Sequence, residues 1–214
     1  METGYMMGKA HAGAVKNEEG WGAYRLVVKP RQEAMEAMLK AALDYGRQQF
    51  GDCFHALEEV ELVVAAFHIR QEMEPTLMRW LHRVISQQEQ FPIRCNNYGS
   101  KREDSLYIRF MDHGPIRKLA EQLRPVEAFL RTDGQARVDL VVHPKMVIAS
   151  GMGGELARSV LMDFASRHFD GGFEVEALEL EKREPGKDSK QLVARFPLLP
   201  AGYRKDNNLE MYLP

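Results

Sequence analysis

A chain of 214 residues, 44% hydrophobic and 28% charged, has the composition of a globular protein and enough length to bury a sizeable core, which excludes disorder as its ground state. A formal charge of −2 and a pI near 6.4 give no general attraction to a polyanion, so duplex DNA is excluded as a long-range partner and any nucleic-acid contact must come from a local patch. No run reaches the roughly 18–20 apolar residues that span a membrane, and Met1–Gly22 lacks an apolar signal core, so no membrane partner and a cytoplasmic location are expected.

Residues 1–22, with Gly4, Gly8, Gly13, Gly20 and Gly22, have no period and read as a loose arm. Tyr24–Lys29 is a strand, and Pro30 breaks it before a helix in which Met35, Met38, Leu39 and Ala42 hold helical spacing up to Gly51. The nearly continuous apolar run Glu61–Ile69 suits a strand buried on both faces. A second helix carries Pro75 in its first turn and Leu77, Trp80, Leu81 and Val84 on one side. Ile93–Asn97 and Leu106–Phe110 read as a hairpin around the polar loop Gly99–Asp104. Pro115 opens a third helix with Ile116, Leu119, Ala120 and Leu123 in register, and Val138–Ala149 is one long strand. The glycines at 151, 153 and 154 lead into a fourth helix, Glu155–Phe169, stopped by Gly171-Gly172. Phe173–Lys182 and Leu192–Leu198 are strands around the turn Pro185–Ser189, and a polar tail starts near Gly202.

Two of these strands carry a histidine and a cation at i and i+2: Phe67-His68-Ile69-Arg70 and Val142-His143-Pro144-Lys145. Side chains two apart on a strand share a face. Each run therefore aims an imidazole and a permanent positive charge in one direction, and two such runs facing one groove would make a phosphate site. Folding the element list in half supports that placement. Strand, helix, histidine strand, helix and hairpin describe 24–110, and helix, histidine strand, helix and hairpin describe 116–198. The expected fold is α+β: a two-lobed, duplicated architecture with antiparallel-rich sheets lining a central groove and helices packed outside. Its single domain covers 23–200, with lobes 23–112 and 113–200 and a tail at 201–214.

From Tyr24 to about Leu199 the chain resembles the 2'-5' RNA ligase family of the two-histidine phosphoesterase superfamily. That family carries two His-hydrophobic-Thr/Ser-hydrophobic motifs, one per lobe, across a central groove. The first motif keeps its histidine at His68, with Arg70 in the hydroxyl position. The second fits two registers. Pro144-Lys145-Met146-Val147-Ile148-Ala149 puts Lys145 in the histidine place and Val147 in the hydroxyl place, and the matching Pro144, Ile148 and Ala149 favour it; the other register makes His143 the histidine and Lys145 the hydroxyl replacement.

The resemblance implies metal-free, cofactor-free chemistry in which one histidine is a general base and the other a general acid. Imidazoles suit both roles near neutrality, whereas a lysine stays cationic unless strongly desolvated. The candidate catalytic residues are His68 with His143 or Lys145. The candidate phosphate clamps are Arg70, whose guanidinium can bind phosphate in bidentate fashion, and Lys145. The expected partner is a nucleotide or an RNA-end phosphate, held by a basic groove with degenerate catalytic machinery. An active cyclic or 2',5' phosphodiesterase or ligase, and an interaction protein that kept only the fold, are the other two readings.

The remaining features carry less. Ser150-Gly151-Met152-Gly153-Gly154 lacks both the dinucleotide fingerprint and a Walker lysine and reads as a loop. Asp112-His113 reads as turn chemistry, and His11, His55, His82 and His168 show no metal-ligand spacing. Cys53 and Cys95 read as buried thiols, and Glu174, Glu176, Glu179 and Glu181 as a solvated strand face.

Overall fold

The computed structural model describes residues 20–101, 104–183 and 189–203. Most of the N-terminal arm, part of the loop after Gly99, the turn at Pro185 and nearly all of the tail lie outside the described residues.

Among the described residues, nine strands form one sheet in the order β7-β3-β4-β6-β2-β1-β8-β9, with β5 pairing against β2, and all these pairings are antiparallel. The strands are β1 (Trp21–Val28), β2 (Leu62–Arg70), β3 (Phe91–Lys101), β4 (Ser105–Phe110), β5 (Arg137–Leu140), β6 (Met146–Ser150), β7 (Asp170–Val175), β8 (Ala177–Arg183) and β9 (Lys190–Pro197). Two four-stranded halves meet where β2 lies beside β6, through the single register pair Leu62 with Met146. Both side chains are wholly buried. Helices α1 (Glu33–Phe50), α2 (Glu74–Ile85), α3 (Gly114–Gln122), α4 (Arg124–Leu130) and α5 (Gly154–Ala165) close over one face of the sheet.

The helix stripes follow the apolar spacing of the sequence. Met35, Leu39, Ala42 and Gly46 are the buried side of α1, and Leu77, Leu81 and Ile85 that of α2. Gly46 is required there, because a Cβ would stand 2.3 Å from the Phe54 ring. Gly51, at φ +57°, ends α1 and returns its N–H to the Arg47 carbonyl.

Several sequence expectations need correction. Trp21 and Gly22 belong to β1 rather than to an arm. The run 138–149 is two strands, because the backbone leaves the ladder between Val141 and Lys145, where Pro144 has no N–H to donate. The hairpin β3–β4 pairs with β6 and β7, not with the first histidine strand, so the halves of the sheet interleave in sequence instead of dividing near residue 112. The run Phe173–Lys182 breaks at Glu176, and its two parts lie at opposite sides of the sheet. Helix α4 was not foreseen: Pro125 follows α3 so closely that the chain turns a corner at Leu123, whose N–H is shared by the Leu119 and Ala120 carbonyls. Cys53 is exposed in a 3-10 turn, whereas Cys95 is buried and its thiol is pushed up to about 12 by that burial.

Candidate functional site

The register pair at the junction defines the site. Antiparallel pairing of Leu62 with Met146 relates Glu61-Leu62-Val63-Val64 to Lys145-Met146-Val147-Ile148 by a local two-fold. In each segment the second residue is buried toward the helices, so the first and third stand on the open face. Glu61, Val63, Lys145 and Val147 accordingly line one cavity of about 860 Å³ between the halves. Arg25 of β1, Ser105 and Ser150 at the paired ends of β4 and β6, Arg183 of β8, Ser189 and Lys190 at the start of β9, and the carboxylates Glu58 and Glu59 ahead of β2 complete its polar wall.

Its two sides differ in charge satisfaction. Glu61 is 8% exposed and both its oxygens are taken, Oε1 by Arg25 at 2.6 Å and Oε2 by Lys190 at 2.9 Å. Next to it Lys29 bonds Glu181 at 2.6 Å and also reaches Glu59 and Glu179, and Arg31 bonds Glu179. Burial alone would lower the Lys29 pKa, but its hydrogen bonds to Glu181 and Glu59 outweigh that and hold it above the usual lysine range. Glu179 and Glu181 are therefore buried partners in an ion network, not the solvated face that their alternation implied. Glu59, Glu61 and Glu181 bring carboxylate oxygens within 4.8 Å of one another, but Arg25, Lys29 and Lys190 already occupy the place a cation would take.

Lys145 has no carboxylate partner among the described residues. Its Nζ lies 4.3 Å from the centre of the Tyr107 ring, an electrostatic contact that leaves the ammonium hydrogens on the cavity side available. Burial lowers its pKa from the ordinary lysine value. Arg183, exposed at the rim, has no carboxylate partner among the described residues either.

The structure does not bring the sequence-predicted residues into one place. His68 lies seven positions beyond Glu61, which in a regular strand would put it on the opposite face. A one-residue bulge, seen where Leu26 pairs with Ala65 but Val27 with Val63, returns it to the open face farther along β2. There it stacks on Trp21, with centroids 5.0 Å apart and planes 15° apart, and lines a separate cavity with Gly134–Arg137. Arg70 is exposed, lies over Trp21 and pairs with Asp133 at 3.4 Å, so its charge is engaged outside the groove. His143 is exposed in the turn between β5 and β6, edge-on to His113 with centroids 6.0 Å apart. Burial first, and then the neighbouring His143 and Arg117, lower the pKa of His113. That contact was missed because His113 and His143 lie thirty residues apart in sequence.

No family model and no curated protein sequence matches the chain. Solved structures do. E. coli LigT complexed with 3'-AMP superposes with a TM-score of 0.60 at 12% identity, over 84% of this chain and 99% of that one. The fold is that of LigT. The protein TT0787 of Thermus thermophilus matches at 0.59 and 18% identity over 84% and 99% of the two chains, and a structure described as a phosphoesterase at 0.56 and 14% over 83% and 99%. The two-lobed α+β arrangement expected from the element order is thus the LigT-like fold, with the groove between its halves.

Proposed function

We propose that this chain is a noncatalytic phosphate-binding protein built on the LigT-like fold, with the terminal phosphate of a nucleotide held in the groove by Lys145. The observation that carries the reading is the partly desolvated Lys145 ammonium, without a carboxylate partner among the described residues, in a cavity where Arg25 and Lys190 are already committed to Glu61 and only Arg183 at the rim shares its lack of a carboxylate. An ammonium without a carboxylate gains most from an anion when water around it is scarce. Ser105 and Ser150 line the same wall beside Lys145, and Arg183 supplies a second positive charge at the rim. E. coli LigT is described in complex with 3'-AMP and with NADP+, two phosphate-bearing nucleotides, which supports a ligand of this class.

Transfer of a proton in and out of a phosphodiester needs two groups that exchange protons near neutrality, both within reach of one phosphate. No two imidazoles line the groove among the described residues, and His68 and His143 sit in other surroundings. Glu61 cannot substitute as a base aimed at a ligand, since each of its oxygens holds a cation. Lys145 remains able to hold a phosphate but has no imidazole to form a relay with among the described residues that line the groove.

The test is calorimetric titration of adenosine 2',3'-cyclic phosphate and 3'-AMP, with the recovered nucleotide analysed for ring opening. Binding without turnover, lost in Lys145→Met, is expected. Turnover in the wild type that disappears in His68→Ala would overturn the reading.

A further inference from the structure

A row of side chains runs across four strands on the open face. Arg183 of β8 pairs with Ala23 of β1, Ala23 with His68 of β2, and His68 with Arg137 of β5. Directly paired residues point to one face of a sheet. Arg25, two residues from Ala23 on β1, lines the groove, so the whole row shares the groove's face. At about 4.8 Å per strand the row spans about 14 Å, from Arg183 in the groove to Arg137 beyond it. Ala23 in the middle leaves the path low.

The far end of the row is a built cavity of about 570 Å³, lined by His68, Gly134, Gln135, Ala136 and Arg137. The His68 ring is backed by Trp21 in a near-parallel stack, and its Nε2 is buried without a hydrogen-bond partner among the described residues. Arg137 is exposed and has no carboxylate partner among the described residues, in contrast to Arg70, which Asp133 engages. A neutral aromatic ligand would leave Arg137 and Arg183 without a role, and a small anion would not use the paired rings. A flat ring joined to phosphate uses both, and stacking platforms flanked by cations suit single strands of any sequence.

We infer that Trp21, His68 and Arg137 form a second subsite, which takes a nucleobase of a short single-stranded oligonucleotide whose terminal phosphate lies at Lys145. The ligand class rests on the nucleotide reading of the groove, but the subsite uses different residues. Stacking of a base there adds about tenfold or more to affinity.

The chain has two tryptophans, and Trp80 packs on Phe129 from helix α2, so Trp80→Phe leaves Trp21 as the reporter. In that background, 3'-AMP and a pentanucleotide with a 3'-phosphate are titrated by fluorescence and calorimetry. The pentanucleotide is expected to quench Trp21 and to bind at least about tenfold tighter than 3'-AMP. His68→Ala and Arg137→Ala should each remove that gain and leave 3'-AMP affinity unchanged. Equal affinity for the two ligands, or a pentanucleotide affinity indifferent to both substitutions, overturns the subsite. Pentanucleotide binding that needs His68 in a protein that does not bind 3'-AMP upholds the subsite and overturns the groove reading instead.

Discussion

Glu61-Leu62-Val63-Val64 and Lys145-Met146-Val147-Ile148 occupy matching places in the two halves of the sheet, and both present their first and third side chains to one cavity. Their first residues carry opposite charges and meet opposite fates. Glu61 is enclosed by Arg25 and Lys190 and continues into a network with Lys29, Arg31, Glu59, Glu179 and Glu181, whereas Lys145 faces an aromatic ring and open space. Position in the fold determines where a side chain points, and the supply of partners determines whether it is structural or available to a ligand. In the phosphate-binding reading proposed above, the anion is met chiefly by Lys145 on the side that lacks a carboxylate, with Arg183 facing it from the rim of the other half.

The largest expected effect comes from breaking the junction that relates the two segments. Leu62→Ala removes a wholly buried side chain at the single β2–β6 register pair and should cost about 2–5 kcal/mol in urea denaturation. Glu61→Gln leaves Arg25 and Lys190 without their shared carboxylate. Loss of one partner of a buried pair costs about 3–5 kcal/mol, and the partial exposure of both cations reduces this to about 2–3 kcal/mol. Lys145→Met should cost no stability at neutral pH. The folded-state pKa of Lys145 is lowered, so the unfolded chain binds its proton more tightly; the charged lysine opposes folding fully below the lowered value, and that penalty fades as pH rises from there to the ordinary lysine value.

The same lowered pKa sharpens the comparison through ligand affinity. Nucleotide binding should weaken as pH rises through the lowered Lys145 value, earlier than an ordinary lysine would discharge. Lys145→Arg should flatten that dependence, because a guanidinium stays charged throughout. Affinity measured between neutral pH and the alkaline limit of the folded protein checks both. An identical profile in wild type and Lys145→Arg would assign the effect to another group.

Much of this arrangement was legible in the residues. Helical spacing located α1, α2 and α3, the alternating element order pointed to a duplicated fold, and the family resemblance, through Pro144, Ile148 and Ala149, favoured Lys145 and Val147 as the second motif's pair, two residues that line the groove cavity while His143, also expected there, does not. The first segment was hidden because Glu61 and Val63 look like neither an imidazole nor a hydroxyl, in an apolar run with no internal landmark. His68 stood out chemically, and the bulge at Val64 that separates it from the groove while keeping it on the same face leaves no trace in the pattern of that run. The burial of Glu179 and Glu181 was equally hidden. Alternating glutamates on a strand look solvated until Lys29 and Arg31 arrive from the segment after β1, distant in sequence, and Lys190 reaches across from the neighbouring β9.

The measurement that most directly tests the contrast between the two sides of the groove is calorimetric titration of 3'-AMP into wild type, Lys145→Met and Glu61→Gln, each verified as folded. The account predicts at least a tenfold loss of affinity in Lys145→Met, in line with about 1.5–3 kcal/mol for a hydrogen bond to a charged group, and no loss in Glu61→Gln. Undiminished binding in Lys145→Met, or a larger loss in Glu61→Gln, would contradict it.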